Sequence, residues 1–472
     1  MNRDKRTKII TTIGPSTHSL EAIRDLYEAG MNTIRLNFSH GDYKEHGARI
    51  KWAKELTEKM GKPISIMLDT KGPEIRVGAM QDGKQQIKSG TIVEVLTDAK
   101  SYKSVEGTAN LITVSYDMAG DLKERDTILI DDGKLLLHVE KVEKHKIITK
   151  AFNTHWVKNN KRINLPGIDF SLPFLSTKDK KDILFGIEEN LDYIAASFVN
   201  SAANVKEIRD ILIKNKAENI QIIAKIESQI GLDNIDEIIE AADGIMVARG
   251  DLGLEIPYYD VPYWEKVLIR KARSKGKIVI VATQMLESMT DNPSPTRAEV
   301  TDVYFATELG ADCTMLSGES ANGLYPTIAV QTMSTINSRA EKEFYSKLYY
   351  QKQLDDAEAS TSGPRAVIAK KLAMKAFNGD YKFAVVLSNT GELLKTISKF
   401  RPNVSILGVT PEENLYTSFG AWSSIFMNKV SDYDEFKQNK QAVIRIAKKW
   451  GAVKGTKVLF AHREDIQEII IT

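Results

Sequence analysis

Lys225 and Glu227 are the residues whose types and spacing point most directly to chemistry. They stand two positions apart in the run AKIES, at the end of an apolar segment. Residues two apart on a β-strand face the same side, so the ammonium and the carboxylate project together while Ala224 and Ile226 project the other way. Such a pair can clamp a phosphate and bind a metal ion. Taken in isolation, however, the same run is explained by an ordinary salt bridge at a strand end.

A second carboxylate, Asp251, follows the next apolar segment in the run MVARGDLG. Gly250 lets the backbone approach a ligand closely, and the helix start after it offers N–H groups to an anion. Mg²⁺ usually takes one or two protein carboxylates and obtains its other oxygens from substrate and water. Glu227 and Asp251 therefore form a candidate magnesium site.

These residues belong to a wider pattern in which polar side chains follow apolar runs. The runs that end in this way are RLNFSHG, LDTKG, ASFVN, AKIES, ARGD, ATQM and LSGES. Sites on a parallel barrel lie at the carboxyl ends of its strands, where groups from many strands meet. Packing of the barrel alone does not account for polar and charged residues at the same end of so many strands.

The apolar runs themselves predict an α/β fold. Eight of them, from KIITTIG to CTMLSG, are each followed by a segment of helical periodicity. Eight parallel strands buried on both faces are what a closed (β/α)8 TIM barrel requires. Between Pro73 and Leu172 the pattern changes to short β runs separated by turns, which predicts a small all-β barrel domain inserted after the third strand. Beyond a polar linker at Leu354–Pro364, further apolar runs predict a C-terminal α/β domain.

The length of 472 residues agrees with about three domains. We predict that the barrel occupies 1–72 and 173–345, that the inserted domain occupies 73–172, and that the C-terminal domain occupies 346–472. We expect the inserted domain to act as a lid, because closure over a barrel mouth excludes water from a reacting centre.

The composition excludes several classes of partner. Lys plus Arg is 65 and Asp plus Glu is 63, a formal net charge of +2, which gives no electrostatic reason to expect nucleic acid or an anionic membrane as a partner. No apolar run approaches the ~20 residues of a membrane span, and the N-terminus has no signal-peptide core. The single Cys313 cannot form an intrachain disulfide and reads as part of a buried strand. We therefore predict a cytoplasmic location.

In their order along the chain, the motifs resemble the pyruvate kinase family. The matching runs are RLNFSHG, DTKGPEIR, INLPG, AKIES, GIMVARGDLGLEIP, ATQMLESM, PTRAE and MLSGES. The resemblance covers the barrel and the position of the inserted domain, and it is weaker in the C-terminal domain. It implies transfer of a phosphoryl group from phosphoenolpyruvate to ADP, giving pyruvate and ATP in the final step of glycolysis. It also implies Mg²⁺ or Mn²⁺ and K⁺ as cofactors, and a homotetramer.

The resemblance further implies roles for single residues. Arg35 would contact the substrate phosphate, and Arg76 would contact phosphates on the nucleotide side. Lys225 would neutralise charge on the phosphoryl group and on the developing enolate. Glu227 and Asp251 would bind the divalent ion. Because no G-x-x-x-x-G-K-[ST] run occurs, side chains and metal ions would hold the nucleotide phosphates.

Three more groups of residues are implied. The pyruvate moiety would meet Gly250, Asp251 and Thr283, with Thr283 close to the path of the proton. The K⁺ ion would take oxygens from Asn37, Ser39, Asp69 and Thr70. The nucleotide would contact Arg76, Lys161, Asn37 and His40. Glu74 is the residue type of the K⁺-dependent branch of the family.

The chain departs from the family pattern in two places. Arg162-Ile163 stands where the family usually has Gly-Val, which affects the loop that carries Lys161. In the C-terminal domain, the loop that resembles an effector-binding T-x-S-G-R-T-A run reads Ser388 to Leu394, SNTGELL. Glu392 adds a negative charge there, and the tail AHREDIQEIIIT lacks a glycine-rich loop. We predict weak or absent activation by fructose 1,6-bisphosphate.

Two other functions remain open at this level. One is a different barrel enzyme that acts on phosphoenolpyruvate or pyruvate, such as a mutase or aldolase, although such enzymes need no nucleotide lid. The other is a catalytically silent binding or regulatory protein on the same fold. Dependence of pyruvate release on ADP separates the first from a kinase, and Mg²⁺-dependent turnover separates the second.

Overall fold

Eight parallel strands close into a barrel at the centre of the molecule. The structure is a computed structural model that describes residues 5–169, 171–431, 433–462 and 465–472, with only the backbone described at 347–349, 435, 437, 438 and 462. The barrel strands are Lys8–Thr12, Thr33–Asn37, Ser65–Asp69, Tyr193–Ala196, Gln221–Ile226, Gly244–Ala248, Ile278–Ala282 and Cys313–Leu316. Almost every residue in them is buried, as expected where helices cover the outer face. The predicted (β/α)8 barrel is confirmed.

Helices follow each barrel strand, as the periodicity predicts. Those around the barrel are Leu20–Ala29, Tyr43–Met60, Thr177–Glu188, Ala202–Lys214, Gln229–Asp233, Ile235–Ala241, Arg249–Glu255, Val261–Ser274, Arg297–Glu308, Gly318–Ala321 and Pro326–Phe344. Several begin at a residue whose side chain satisfies a free backbone N–H, as Ser176 and Thr296 do for the helices that follow them. Within the described residues, no helix combines the length and the apolar character needed to traverse a bilayer.

A β-rich unit with its own apolar core lies between the third and fourth barrel strands. Its strands are Ile75–Arg76, Lys84–Ile87, Ile92–Leu96, Leu111–Thr113, Thr127–Ile130, Leu135–Glu143, Lys146–Ala151, His155–Lys158 and Arg162–Asn164. Seven of them form one sheet, and a β-bridge between Val77 and Val114 joins its two ends. A short α-helix, Ala99–Ser104, and the 3-10 turns Gln81–Gly83 and Met118–Gly120 lie between these strands. The Asp98 side chain stabilises the α-helix by accepting hydrogen bonds from N–H groups of its first turn.

The C-terminal part of the chain forms a five-stranded sheet flanked by helices. The strands, in spatial order, are Ile425–Lys429, Ser405–Thr410, Phe383–Leu387, Lys457–His462 and Asp465–Ile470, and the last pair is antiparallel. The helices are Lys347–Ala359, Pro364–Asn378, Glu392–Phe400, Glu413–Thr417, Tyr433–Gln438 and Lys440–Lys449. Of the tail singled out in the sequence, Arg463 and Glu464 lie outside the described residues.

The prediction of a linker at Leu354–Pro364 was wrong for its first half. Lys347–Ala359 is a helix, and only the short stretch 360–363 separates it from the next helix. Leu354 and Ala357 are three positions apart, which places them on one helical face, and both are buried against the C-terminal core. The polar residues of this stretch form the solvent-exposed face of an amphipathic helix.

The segment 417–424 closes the amino-terminal end of the barrel, opposite the predicted site. The Tyr193 hydroxyl donates to the carbonyl of Ser418 at 2.5 Å, and the Trp422 indole N–H donates to Gln221 at 3.0 Å. Cys313 is fully buried in the last barrel strand, as predicted, beside the carbonyl of Ala421. The C-terminal domain is therefore joined to the barrel by buried polar contacts.

Candidate active site

Lys225 lies at the carboxyl end of the fifth barrel strand, and its ammonium group is surrounded by oxygens. The Nζ atom is 3.1 Å from Glu227 Oε1, 3.1 Å from Asp69 Oδ1 and 2.7 Å from the hydroxyl of Ser197. The predicted common orientation of Lys225 and Glu227 is confirmed. Because these residues follow three different strands, the barrel brings together groups that are far apart in the sequence.

Asp69 joins Lys225 to a second cation, Arg35. The Arg35 Nε atom donates to Asp69 Oδ2 at 2.6 Å, and its Nη1 atom donates to the hydroxyl of Thr12 at 2.9 Å. Only 1% of the Asp69 side chain is exposed, against 10% for Arg35 and for Lys225. One buried carboxylate thus holds two cations side by side, which is an arrangement suited to a multiply charged anion.

The ionisation of this cluster follows from its burial and its charges. Burial acts to lower the pKa of Lys225, but Asp69 and Glu227 outweigh burial and raise it above its ordinary value. Burial acts to raise the pKa of Asp69, but Arg35 and Lys225 hold it below its ordinary value. Lys225 is therefore an ammonium and Asp69 a carboxylate at neutral pH.

Asp251 lies in the helix that follows the sixth barrel strand, close enough to Glu227 for each carboxyl group to shift the pKa of the other. The other oxygen of Glu227, Oε2, accepts the backbone N–H of Phe198 at 2.8 Å. On the far side, Arg162 of the inserted unit donates to Asp251 Oδ1 at 2.5 Å. The structure thus brings together the two carboxylates predicted to share a divalent ion.

Charge accounts for the unequal pKa values of the two carboxyl groups. Burial raises the pKa of Glu227, Lys225 opposes this, and the nearby Asp251 adds to it. Burial acts to raise the pKa of Asp251 too, but Arg162 and Lys225 outweigh it and hold that pKa below its ordinary value. Two neighbouring buried carboxyl groups are stabilised by a shared proton or by a cation between them.

The donor set fits a divalent ion of the magnesium type. Across the described ranges of the chain, no three His, Cys, Asp or Glu side chains gather closely enough to bind a metal by themselves. Mg²⁺ does not need such a set, because it binds through one or two carboxylates and completes its shell with substrate and water. Glu227 and Asp251 supply that number.

Thr283 lies beside Gly250 in a strained loop after the seventh barrel strand. The Gly250 N–H donates to the Thr283 hydroxyl at 2.7 Å, and this hydroxyl donates to the Ala282 carbonyl at 2.5 Å. The backbone of Thr283 has a φ of +69°, a region that a β-branched residue rarely adopts. Arg249 holds the loop in place by donating to the Thr283 carbonyl at 2.7 Å.

The residues predicted for K⁺ follow the second and third barrel strands, which are neighbours. Asn37 and Asp69 are register partners across these strands. The Asn37 side-chain oxygen accepts the backbone N–H of Ser39 at 3.1 Å, and the Thr70 carbonyl accepts the Ser197 hydroxyl at 2.8 Å. The four residues therefore lie at the ends of two neighbouring strands, although the Asp69 carboxylate is already paired with two cations.

Two of the residues predicted for the nucleotide are held by carboxylates. Arg76 donates to Glu74 through Nε at 3.0 Å and Nη2 at 2.7 Å. Lys161 pairs with Asp131 of the inserted unit at 2.7 Å. His40, also predicted there, has an exposed side chain and donates its backbone N–H to the carbonyl of Asn37 at 3.2 Å.

Three contributing residues were not singled out as site residues from the sequence. Ser197 contacts Lys225, Thr12 contacts Arg35, and Arg162 contacts Asp251. The run ASFVN marks the Ser197 strand end as functional, but its spacing does not distinguish Ser197 from its neighbours. Arg162 differs from the family pattern in the sequence, but no local signal shows which barrel residue it contacts.

Paired cations and carboxylates at the carboxyl end of a (β/α)8 barrel are typical of enzymes that bind anionic substrates. The family model for the pyruvate kinase barrel domain matches residues 4–330. Curated pyruvate kinases from Bacillus licheniformis and Mycoplasma pneumoniae are 46% and 42% identical to the chain. The alignments cover 90% and 89% of this chain, and 73% and 89% of those proteins.

A solved structure extends the likeness to the whole chain. The crystal structure of a pyruvate kinase from Cryptosporidium parvum superposes with a TM-score of 0.92 at 33% sequence identity. The superposition covers 99% of this chain and 97% of that one. The chain belongs to the pyruvate kinase family, and it is a phosphotransferase.

Proposed function

We propose that the protein transfers the phosphoryl group of phosphoenolpyruvate to ADP and forms pyruvate and ATP, with Mg²⁺ or Mn²⁺ and with K⁺. Membership of the family supports the reaction class, and the charges at the barrel mouth support the substrates. We also infer a cytoplasmic homotetramer, by analogy with the family. The observation that carries the proposal is the convergence of Lys225, Glu227 and Asp251 in one cluster.

Charge neutralisation is the main task of the side chains. The transferred phosphoryl group passes through a loose and highly anionic state, so catalysis consists largely of positioning and electrostatic stabilisation. Arg35 and Lys225 are held beside each other by Asp69 and would meet the phosphate and the developing enolate oxygen. Because neighbouring groups fix both cations before substrate arrives, little reorganisation is needed during the reaction.

Glu227 and Asp251 would hold the divalent ion. When bound, the ion supplies Lewis-acid polarisation and neutralises negative charge on substrate oxygens. Asn37, Ser39, Asp69 and Thr70 are the corresponding candidates for K⁺, and Arg76, Lys161, Asn37 and His40 are those for the nucleotide.

The second half of the reaction protonates a carbon atom, and Thr283 is the candidate for positioning that proton. Its hydroxyl is held between the Gly250 N–H and the Ala282 carbonyl, so its position is fixed. A water bound to this hydroxyl would be placed over the pyruvate moiety. Gly250 and Asp251 would bind the same moiety.

A coupled assay with single omissions tests the proposed reaction. Purified protein is mixed with phosphoenolpyruvate, ADP, Mg²⁺ and K⁺, and pyruvate is followed through lactate dehydrogenase. We expect turnover that stops when ADP or Mg²⁺ is left out and falls strongly without K⁺. Pyruvate release without ADP would indicate a different phosphoenolpyruvate enzyme, and no turnover under any condition would indicate a silent relative.

The variant Lys225→Met tests the role of the central cation. We expect kcat to fall by about 100-fold or more, since loss of one preorganised electrostatic group costs on the order of 3 kcal/mol in the transition state. Lys206→Met removes an equal charge from an exposed helix position and is the matched control. A Lys225→Met enzyme with wild-type kcat would contradict the assignment.

A further inference from the structure

Arg162 is carried by the inserted domain but contacts the candidate metal site of the barrel. Its Nη1 atom is 2.5 Å from Asp251 Oδ1, and its guanidinium carbon is 4.8 Å from the centre of the Phe198 ring. Arg162 begins the strand Arg162–Asn164 and is the register partner of Arg76 across that sheet. The contact therefore connects the barrel to the inserted domain through a carboxylate that a metal ion would use.

Arg162 is one of three cations that meet three acidic side chains in this cluster. The cations are Arg35, Lys225 and Arg162, and the acidic residues are Asp69, Glu227 and Asp251. A divalent ion in place of the Arg162 guanidinium would add one positive charge to the cluster. An added charge of that sign suits a substrate that carries several negative charges.

The Arg162 side chain is incompletely satisfied where it lies. Its Nη2 atom is buried and has no hydrogen-bond partner among the residues that the structure describes. A buried donor without an acceptor costs free energy. Moving the Arg162 side chain away from Asp251 therefore costs less than moving a guanidinium whose donors are all hydrogen-bonded. Arg162, Phe198 and Glu255 line one cleft, so a second acidic side chain borders the space beside the guanidinium.

We propose that Arg162 is a displaceable counter-ion, which neutralises Asp251 when no divalent ion is bound and must leave before the ion can bind. The inference rests on the proposed function, because it takes Glu227 and Asp251 as the metal ligands. Metal binding then breaks a contact between the two domains.

Titration with Mn²⁺ tests this without measuring activity. Free Mn²⁺ is followed by electron paramagnetic resonance in titrations of wild type, Arg162→Met and Arg125→Met. Arg125 is an exposed arginine of the same domain, so its variant removes the same charge away from the site. We expect Arg162→Met to bind Mn²⁺ about tenfold more tightly, equivalent to about 1.4 kcal/mol, and Arg125→Met to match wild type.

Glu227→Gln separates failure of this inference from failure of the proposed metal site. If Glu227→Gln weakens Mn²⁺ binding but Arg162→Met binds no more tightly than wild type, Arg162 is not a competitor and the metal site stands. If Glu227→Gln binds Mn²⁺ as wild type does, both ideas are wrong. Should Arg162→Met fail to fold, Arg162→Lys is used instead, and its shorter side chain is expected to give a smaller increase in affinity.

The melting temperatures of wild type and Arg162→Met, with and without Mn²⁺, provide a second test. In the absence of metal, Arg162→Met leaves Asp251 without its paired cation, so its melting temperature should be lower than that of wild type. Added Mn²⁺ should raise the melting temperature of the variant more than that of wild type. Equal shifts in the two proteins would contradict the proposal.

Discussion

Thr283 combines a left-handed backbone with a hydroxyl that is fixed by two hydrogen bonds. A strained residue of this kind persists only where its surroundings over-determine it, and such residues cluster at functional sites. The Arg249 side chain supplies part of that support by donating to the Thr283 carbonyl. The geometry agrees with a positioning role for the hydroxyl.

Replacement of this hydroxyl gives a residue-scale prediction. Thr283→Ala should slow exchange of the pyruvate methyl protons with D₂O by on the order of 100-fold, the size of a general acid–base contribution. Thr283→Ser keeps the hydroxyl and should retain most of the exchange. Proton NMR of pyruvate incubated with each enzyme measures the rates. Equal exchange in the Ala and Ser variants would rule out this role.

The core of the site was predictable from the sequence because its signals are local. The two-residue spacing of Lys225 and Glu227 places both side chains on one face of a strand. The alternation of strands and helices places Asp251 at the same carboxyl end of the barrel. Contacts between chain segments far apart in sequence have no such signal. Ser197 is 28 residues from Lys225 and Arg162 is 89 residues from Asp251, so only the fold shows that they meet.

At the scale of elements, the loop from Ser388 to Leu394 follows the central strand of the C-terminal sheet. The Ser388 hydroxyl accepts the backbone N–H of Gly391 at 3.0 Å, and Gly391 has a φ of +79°. Glu392 begins the next helix and pairs with Lys395 at 3.0 Å. The backbone N–H of Gly391 is therefore already used within the loop. Glu392 places a carboxylate at the N-terminus of the helix, where backbone N–H groups would otherwise favour binding of a phosphate.

This geometry agrees with the expectation of weak activation by fructose 1,6-bisphosphate. Titration of that sugar in the coupled assay should change the phosphoenolpyruvate KM by less than about twofold, because like charges repel at this loop. Glu392→Gln removes the charge and is the informative variant. Strong activation of the wild-type enzyme by the sugar would contradict the prediction.

The succession of helices after the barrel strands was predictable, because caps and apolar periodicity coincide there. The helix Lys347–Ala359 was not predicted, and its second half was interpreted as part of a linker. Its stretch LDDAEA has only two buried apolar residues, Leu354 and Ala357, and reads as a polar linker until the C-terminal core that covers them is known.

At the scale of the whole molecule, Asp192 links the barrel to the C-terminal domain. Its carboxylate accepts the Thr417 hydroxyl at 2.5 Å and the Ile66 backbone N–H at 2.8 Å. Burial raises the pKa of Asp192 from 3.8 to about 7, although these hydrogen bonds oppose the shift. The folded protein therefore keeps a proton on Asp192 that the unfolded chain releases at lower pH.

A raised carboxyl pKa makes the folded state lose stability as pH rises. Between about pH 4 and pH 7 the folded state binds more protons than the unfolded state, so the contribution of Asp192 declines, by on the order of 4 kcal/mol at most. Asp192→Asn should flatten the decline in melting temperature over this range, with exposed Glu218→Gln as control. An unchanged pH profile in Asp192→Asn would show that the group does not titrate as described.

The proposed reaction depends on one divalent ion held between Glu227 and Asp251, beside Lys225. Anomalous diffraction at the manganese edge, from crystals grown with Mn²⁺ and phosphoenolpyruvate but no ADP, locates that ion directly. We predict one peak at about 2.1 Å, the magnesium–oxygen distance, from oxygens of both carboxylates, with Arg162 turned away from Asp251. A manganese peak that contacts neither carboxylate, or a substrate phosphate remote from Lys225 and Arg35, would contradict the account.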